Sequence, residues 1–360
     1  LGLTAFALFH RRLKNPDDDG THVLMRYTLR LLTAQQFQRA CGLICAMDHL
    51  RRSPAGKRLG ERAFTIGIWL GGDTTPNTRD DAKSSFRQLD RAEQDSDYNF
   101  VLLRCPWCGA QMGPVESAKG ATPRRGERRG RGGAARGMAE PPRLLGLEQR
   151  GGTVVLHCPD GACEYHRGLP IQVIDEDLYA SPPDLVIGTV DKFAGLAWNP
   201  DARALFGISP EGTRIKSPPG LIIQDELHLI TGPLGSMAGM YEILIEELCT
   251  DRRGPGEVRP KIISSTATTR RYREQILGLY NREDTCLFPP PGLEAGDSFF
   301  AAYAREPDGR LSRGRVYAGI SATSYPSGLT TNVRVSAALL QAARLLDEGD
   351  DRDPWWTLLM

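Results

Sequence analysis

The residues best suited to chemistry lie in Leu221-Ile222-Ile223-Gln224-Asp225-Glu226-Leu227-His228, where an apolar run passes directly into two carboxylates and a histidine. The apolar part reads as a buried strand, and side chains at the carboxyl end of a parallel strand face the crevice where α/β proteins hold ligands. Hydrolysis of a nucleoside triphosphate needs such a pair: one acid to hold the shell of a Mg2+ ion that neutralises the phosphates, the next to activate or orient the attacking water. Asp225 suits the first task and Glu226 the second, with His228 beside them. Two other readings fit the same residues. An acidic helix start would offset the positive end of the helix dipole. Carboxylates with a histidine could also bind Mg2+ or Mn2+ in a nuclease, although no second acidic cluster completes a two-metal site.

A second chemical signal is carried by cysteines. Cys105-Pro106-Trp107-Cys108 and Cys158-Pro159-Asp160-Gly161-Ala162-Cys163 form two close pairs, whereas Cys41, Cys45, Cys249 and Cys286 stand singly. Each pair is a knuckle that would present two thiolates to one tetrahedral Zn2+, and a closed set of four ligands makes such a site structural. His157 and His166 are less suited as ligands because the paired cysteine spacing already supplies four. The stretch between the pairs, about 113–150, is rich in Gly, Pro and Arg. It cannot offset its ordering entropy by burial and is expected to loop out as a disordered tract. Its arginines would bind nucleic acid electrostatically, or it is a solvated insertion. This cysteine usage suits a reducing cytoplasm better than a disulfide framework.

To position these groups the chain needs a sheet. Val23-Leu24-Met25, the run Phe64 to Leu70, Asp184 to Thr189, Gly220 to Gln224 and Lys261 to Ser265 read as strands. Helical spacing links Leu1, Ala5, Leu8 and Phe9, then Phe37, Cys41, Ile44 and Met47, then Met237, Met240, Tyr241, Leu244, Ile245 and Leu248. The alternation predicts an α/β fold, a parallel sheet with helices on both faces. The stretch from Asp73 to Asp97 is polar and charged and carries no element prediction. Past Pro289-Pro290-Pro291-Gly292 a new unit is expected, with strand-like Arg315 to Ile320 and a helix bearing Val335, Leu339, Ala342 and Leu346. The net charge of +1 advertises no global field for nucleic acid. No apolar run approaches the roughly 20 residues that cross a bilayer, so no membrane partner is expected.

Taken together the motifs resemble superfamily 2 helicases. Asp225-Glu226-Leu227-His228 looks like that family's motif II, the Asp-Glu-x-His box, and Thr266-Ala267-Thr268, after the next strand, looks like its motif III. Ser321-Ala322-Thr323 is a weaker candidate for motif III because it follows the expected domain boundary. Upstream, Met25 to Gln36, with Thr28 and Arg30, is similar to motif Ia; Leu70-Gly71-Gly72-Asp73 fits the motif Ib region; and Asp184 to Phe193 resembles the element whose threonine, here Thr189, contacts a phosphate, with Lys192 beside it. Such turns grip phosphates and sugars without reading bases.

The resemblance implies a RecA-like P-loop NTPase domain that binds ATP and Mg2+. Its first part would occupy 1–98, a zinc-binding insertion 99–170 and its remainder 171–288, with 289–360 opening a second RecA-like domain. The triphosphate cradle Gly-x-x-x-x-Gly-Lys-Ser/Thr occurs nowhere, since around Gly56-Lys57 an arginine, Arg51, stands where the first glycine belongs and Arg58 follows the lysine. The expectation is that the cradle precedes Leu1 and that these residues by themselves do not hydrolyse ATP efficiently. Within the superfamily, Gln224 to Ser236 together with a cysteine-rich insertion before it, Gly319 to Thr323 and Asp353 to Leu358 look like the helicase subunit of the bacterial DISARM anti-phage system. That likeness implies an ATP-dependent helicase or translocase on DNA, with other defence-system subunits as partners. The competing expectation is a zinc-containing nucleic-acid-binding module on a degenerate motor scaffold, without turnover.

Overall fold

In the first unit the expected apolar runs form strands and the periodic segments form helices, as burial on both faces of a parallel sheet demands. The computed structural model describes residues 1–28, 30–91, 97–115, 143–267, 271–290, 292–294, 296–314, 318–323 and 327–346. Two compact units divide the chain, Leu1–Thr285 and Cys286–Met360. In chain order the first unit contains α1 (Gly2–Lys14), β1 (Val23–Tyr27), α2 (Arg30–Arg52), β2 (Ile66–Trp69), α3 (Arg79–Asp90), β3 (Gly113–Val115), β4 (Arg143–Leu145), β5 (Leu147–Arg150), β6 (Thr153–Leu156) and β7 (Ile171–Gln172). It continues through α4 (Asp175–Ala180), β8 (Leu185–Thr189), α5 (Val190–Ala194), β9 (Leu221–Gln224), α6 (Gly232–Cys249), β10 (Lys261–Ser264) and α7 (Tyr272–Tyr280). The second unit contributes α8 (Gly328–Leu346).

Six strands form one sheet in the order β10, β9, β1, β8, β2, β7, and every pairing in it is parallel. Side chains alternate along each strand, so the sheet has two cores. On one face Val23, Met25, Ile68 and Ile187 pack with Phe37, Cys41 and Ile44 of α2. On the other Leu24, Val186 and Ile222 pack with Leu178 of α4 and Ile245 of α6. The fold is therefore α/β with a parallel sheet flanked by helices. The edge strand β7 is only two residues long, too short to leave a periodic signal. The polar stretch after Asp73 holds α3, whose start is fixed by a capping box in which Thr78 and Asp81 exchange side-chain-to-backbone bonds.

The cysteine-rich insertion is built from two antiparallel pairs, β3 with β4 and β5 with β6. It packs directly on the sheet's own core: Cys105, Cys158, Cys163 and Tyr165 share one apolar cluster with α2, and the Tyr165 hydroxyl donates to the carbonyl of Cys45 at 2.6 Å. The ends of the Arg/Gly tract expected to be disordered over about 113–150 instead form β3, β4 and β5; 116–142 lie outside the described residues, as do Thr268, Arg315 to Tyr317 and Asp353 to Leu358. Residues 318–320 of the expected final strand form no strand.

The sheet buries a charge at its centre. Arg26 of β1 is 0% exposed; its Nη1 donates to Glu242 Oε1 of α6 at 2.6 Å and its guanidinium lies over the Phe193 ring. The pair ties a central strand to the helix that follows the acidic residues. Arg26→Met is expected to lower stability by about 3–5 kcal/mol, because it strands an uncompensated buried carboxylate. Adding Glu242→Met should recover most of that loss. Urea denaturation followed by circular dichroism checks this, and equal losses in the single and double variants would show that the pairing is not the cause.

Candidate functional site

Because the strands are parallel and in register, their carboxyl ends share one edge. Gln224 of β9 lies beside Arg26 of β1 and Ser264 of β10; Tyr27 pairs with Thr189 of β8, and Gly188 with Trp69 of β2. The residues singled out from the sequence follow these positions. Asp225 leaves β9, Thr266 and Ala267 follow β10, Thr28 follows β1, Thr189 ends β8, and Gly71 and Gly72 follow β2. With strands about 4.8 Å apart, Thr189 lies two strands, roughly 10 Å, from the acidic residues, and Gly71 one strand further.

Asp225 is held in place. Its backbone N–H donates to the carbonyl of Arg26 at 2.9 Å, and its Oδ1 accepts from the Glu226 N–H at 3.0 Å and from the Ser265 hydroxyl. Asp225 itself is half-buried. Glu226 adopts φ 51°, ψ 47°, the left-handed region that a residue with a Cβ occupies at a cost of about 1–2 kcal/mol. The turn beyond it is clamped: Leu227 N–H donates to the Ser265 carbonyl at 2.9 Å, and the Gln275 amide of α7 donates to the carbonyls of Leu227 and Ile230 at 2.8 and 2.9 Å. His228 Nδ1 lies 3.3 Å from Glu226 Oε2, a charge pair when the imidazole is protonated. The acidic residues thus sit on a strained turn fixed from β10 and α7. Ser265 could have been suspected from its place just before Thr266. Gln275 carries no sequence signal, since its role depends on α7 folding back over the turn.

Along the rest of the edge enclosure varies, from the exposed Gly72 to the half-buried Thr28 and Lys192 and the buried Thr189. Thr28 has a buried hydroxyl without a partner, and Thr189 is buried. Arg30 opens α2, and its side chain lies outside the described residues. Gly72 sits where a Cβ would come within 2.7 Å of the Asn77 amide nitrogen, so the backbone approaches Asn77 closely. Lys192 does not project freely: its Nζ lies 2.6 Å from Asp175 Oδ2 and 3.2 Å from Asn77 Oδ1.

The four paired cysteines converge. The Sγ atoms of Cys105, Cys108, Cys158 and Cys163 lie within 4.8 Å of one another. Tetrahedral metal–thiolate bonds of about 2.3 Å imply sulfur separations near 3.8 Å, so the set could hold a metal ion. The first knuckle turns through Gly109 at φ 80°, which lets the Gly109 N–H return to the Cys105 carbonyl at 2.9 Å. His157 and His166 approach the carbonyls of Cys158 and Cys163 through Nδ1, at 3.1 and 2.9 Å, and stand outside the cluster. Trp107, between the first two cysteines, lies against His49 of α2 and Tyr165. Among the described residues, no helix is long and apolar enough to cross a membrane.

No protein-family model matches the chain. The chain is similar to the DISARM protein DrmA of Bacillus paralicheniformis, with 33% identity over 399 aligned residues that cover 100% of the chain and 33% of that relative. It therefore spans about a third of the length of the curated relative it matches.

The left-handed turn at Glu226 makes a direct prediction. Glu226→Gly is expected to be more stable than Glu226→Ala by about 1 kcal/mol, because only glycine adopts this backbone without penalty. Denaturant midpoints of the two variants check it; an alanine variant as stable as the glycine one would mean that the turn relaxes.

Proposed function

We propose that this chain is part of an ATP-dependent helicase or translocase that acts on DNA in a DISARM-like anti-phage defence system, together with other subunits of that system. The observation that carries the reading is the Asp225-Glu226 pair at the carboxyl end of β9, oriented by Ser265 and backed by similarity to DrmA along the whole chain. On this reading the sheet is a RecA-like domain, spanning 1–98 and 171–288 around the insertion 99–170, and 289–360 open a second one.

Each residue then has a task. Asp225, with one oxygen already bonded to Ser265, holds the water shell of Mg2+, which when bound neutralises charge on the triphosphate. Glu226 accepts the proton of the attacking water, and His228 beside it fixes the carboxylate's orientation. Thr266, Ala267 and Thr268 couple the ATP site to the strand-binding surface. Thr28, Arg30, Gly71, Gly72, Thr189 and Lys192 take the phosphates and sugars of the tracked strand. The four cysteines hold a structural Zn2+, which locks the insertion onto α2 and supplies no chemistry to ATP. Localisation in the cytoplasm belongs to the same reading.

The test uses the full-length protein, since these residues match a third of the relative. Glu226→Gln keeps the side-chain shape and removes the base; DNA-stimulated ATP turnover is expected to fall by about 100-fold or more while nucleotide binding persists. A wild-type protein that binds DNA and never turns over ATP would replace the motor with a binding module. For the metal, mercurial titration of the thiols is expected to release about one Zn2+ per chain, and the double change Cys105→Ser with Cys158→Ser should abolish that release and lower Tm. A metal-free wild type with an unchanged Tm would remove the zinc assignment.

A further inference from the structure

Lys192 is held by a buried network that the phosphate-contact reading does not explain. Asp175, the first residue of α4, is 3% exposed. One of its carboxylate oxygens, Oδ2, receives Lys192 Nζ at 2.6 Å and lies 3.5 Å from the Tyr179 hydroxyl. The other, Oδ1, is buried with no partner. The Tyr179 hydroxyl in turn accepts from Trp69 Nε1 at 2.9 Å and from Asn199 Nδ2 at 3.2 Å. The nearby charges are engaged elsewhere: Glu176 accepts the backbone N–H of Arg79 and Asp177 its guanidinium, while Asp201 lies close enough to Tyr179 to act on its hydroxyl. Lys192 is thus the one cation facing Asp175 among the described residues, and its side chain is 19% exposed.

We propose that a DNA phosphate and the Asp175 carboxylate compete for Lys192, so that binding of DNA at this edge is accompanied by uptake of a proton on Asp175. The inference rests on the reading above, in which Lys192 contacts the tracked strand. An ammonium has three donors but one charge. If Lys192 swings to the phosphate, Asp175 is left as an isolated buried anion. If Lys192 keeps both contacts, the phosphate places a second negative charge beside the carboxylate. Both geometries favour the protonated acid. Burial already pushes the Asp175 carboxyl up to about 6, against the opposing pull of Lys192, so weakening that pull moves its titration across neutrality. The proton comes from solvent and adds to Oδ1 or Oδ2; no other bond changes.

The sign follows. Above the pH where free Asp175 is ionised, each complex takes up nearly one proton, and the association constant falls as pH rises, by up to about tenfold per pH unit. Anisotropy of a fluorescent oligothymidylate with the full-length protein, at fixed ionic strength between about pH 6.5 and 8, reads this slope. Calorimetry in two buffers of different ionisation enthalpy counts the protons. Asp175→Asn is expected to bind about tenfold tighter at the upper pH and to flatten the slope. Lys192→Met, which leaves Asp175 in place, should weaken binding and abolish the proton uptake, giving a second route should the first variant fold poorly. An Asp175→Asn protein that binds DNA with the wild-type slope overturns the exchange while leaving the DNA reading standing. Loss of affinity without any change in proton count in Lys192→Met does the same. A wild-type protein that binds no DNA at any pH overturns both.

Discussion

All six strands of the sheet run the same way, and that direction constrains everything in the first unit. Parallel neighbours cannot be joined by hairpins, so each connection must cross over a face, and helices end up covering both. The same direction gathers five strand ends, each followed by polar residues, along a single edge. Sequence separations of about 200 residues, as between Arg26 and Gln224, become neighbouring backbone positions. Reversing any central strand would send its polar end to the opposite side and dismantle the site.

Holding that edge together also takes polar bonds, some of them set within the apolar cores. Arg26 and Glu242 bind strand β1 to helix α6 without solvent. Ser265 and Gln275 fix the turn that carries Asp225 and Glu226. These bonds are few and specific, and breaking one partner leaves the other unsatisfied in a medium where that is costly. The left-handed backbone of Glu226 is tolerated because the turn is determined from several sides.

The insertion extends the sheet's core. Tyr165 reaches the Cys45 carbonyl in α2, and Trp107 lies against His49 near the end of the same helix. A metal held by the four thiolates would therefore stabilise the surface of α2 opposite the sheet as well as the knuckles. Since α2 begins at the turn after β1, the insertion packs on the same helix that leaves the sheet's carboxyl edge.

The local signals were legible in the sequence because they depend on short-range physics. Strands buried on both faces are largely apolar, which exposed β1, β2, β8 and β9, and the edge strand β10 carries a similar apolar pair although it is only partly buried. Thiolates that share a metal come in close pairs, which exposed the cysteines, and a strand running into two acids exposed Asp225 and Glu226. What tertiary structure decided is which distant groups meet. Helix α3 hid in a polar stretch because its start depends on a cap and not on an apolar face, and β7 was too short to show a period. Lys192 reads from the sequence as an open phosphate contact, yet the crossover that brings α4 beside β2 and β8 places Asp175 against it. No local pattern encodes that encounter, because the partner of a buried charge is chosen by the path of the chain around the sheet and not by its neighbours in sequence.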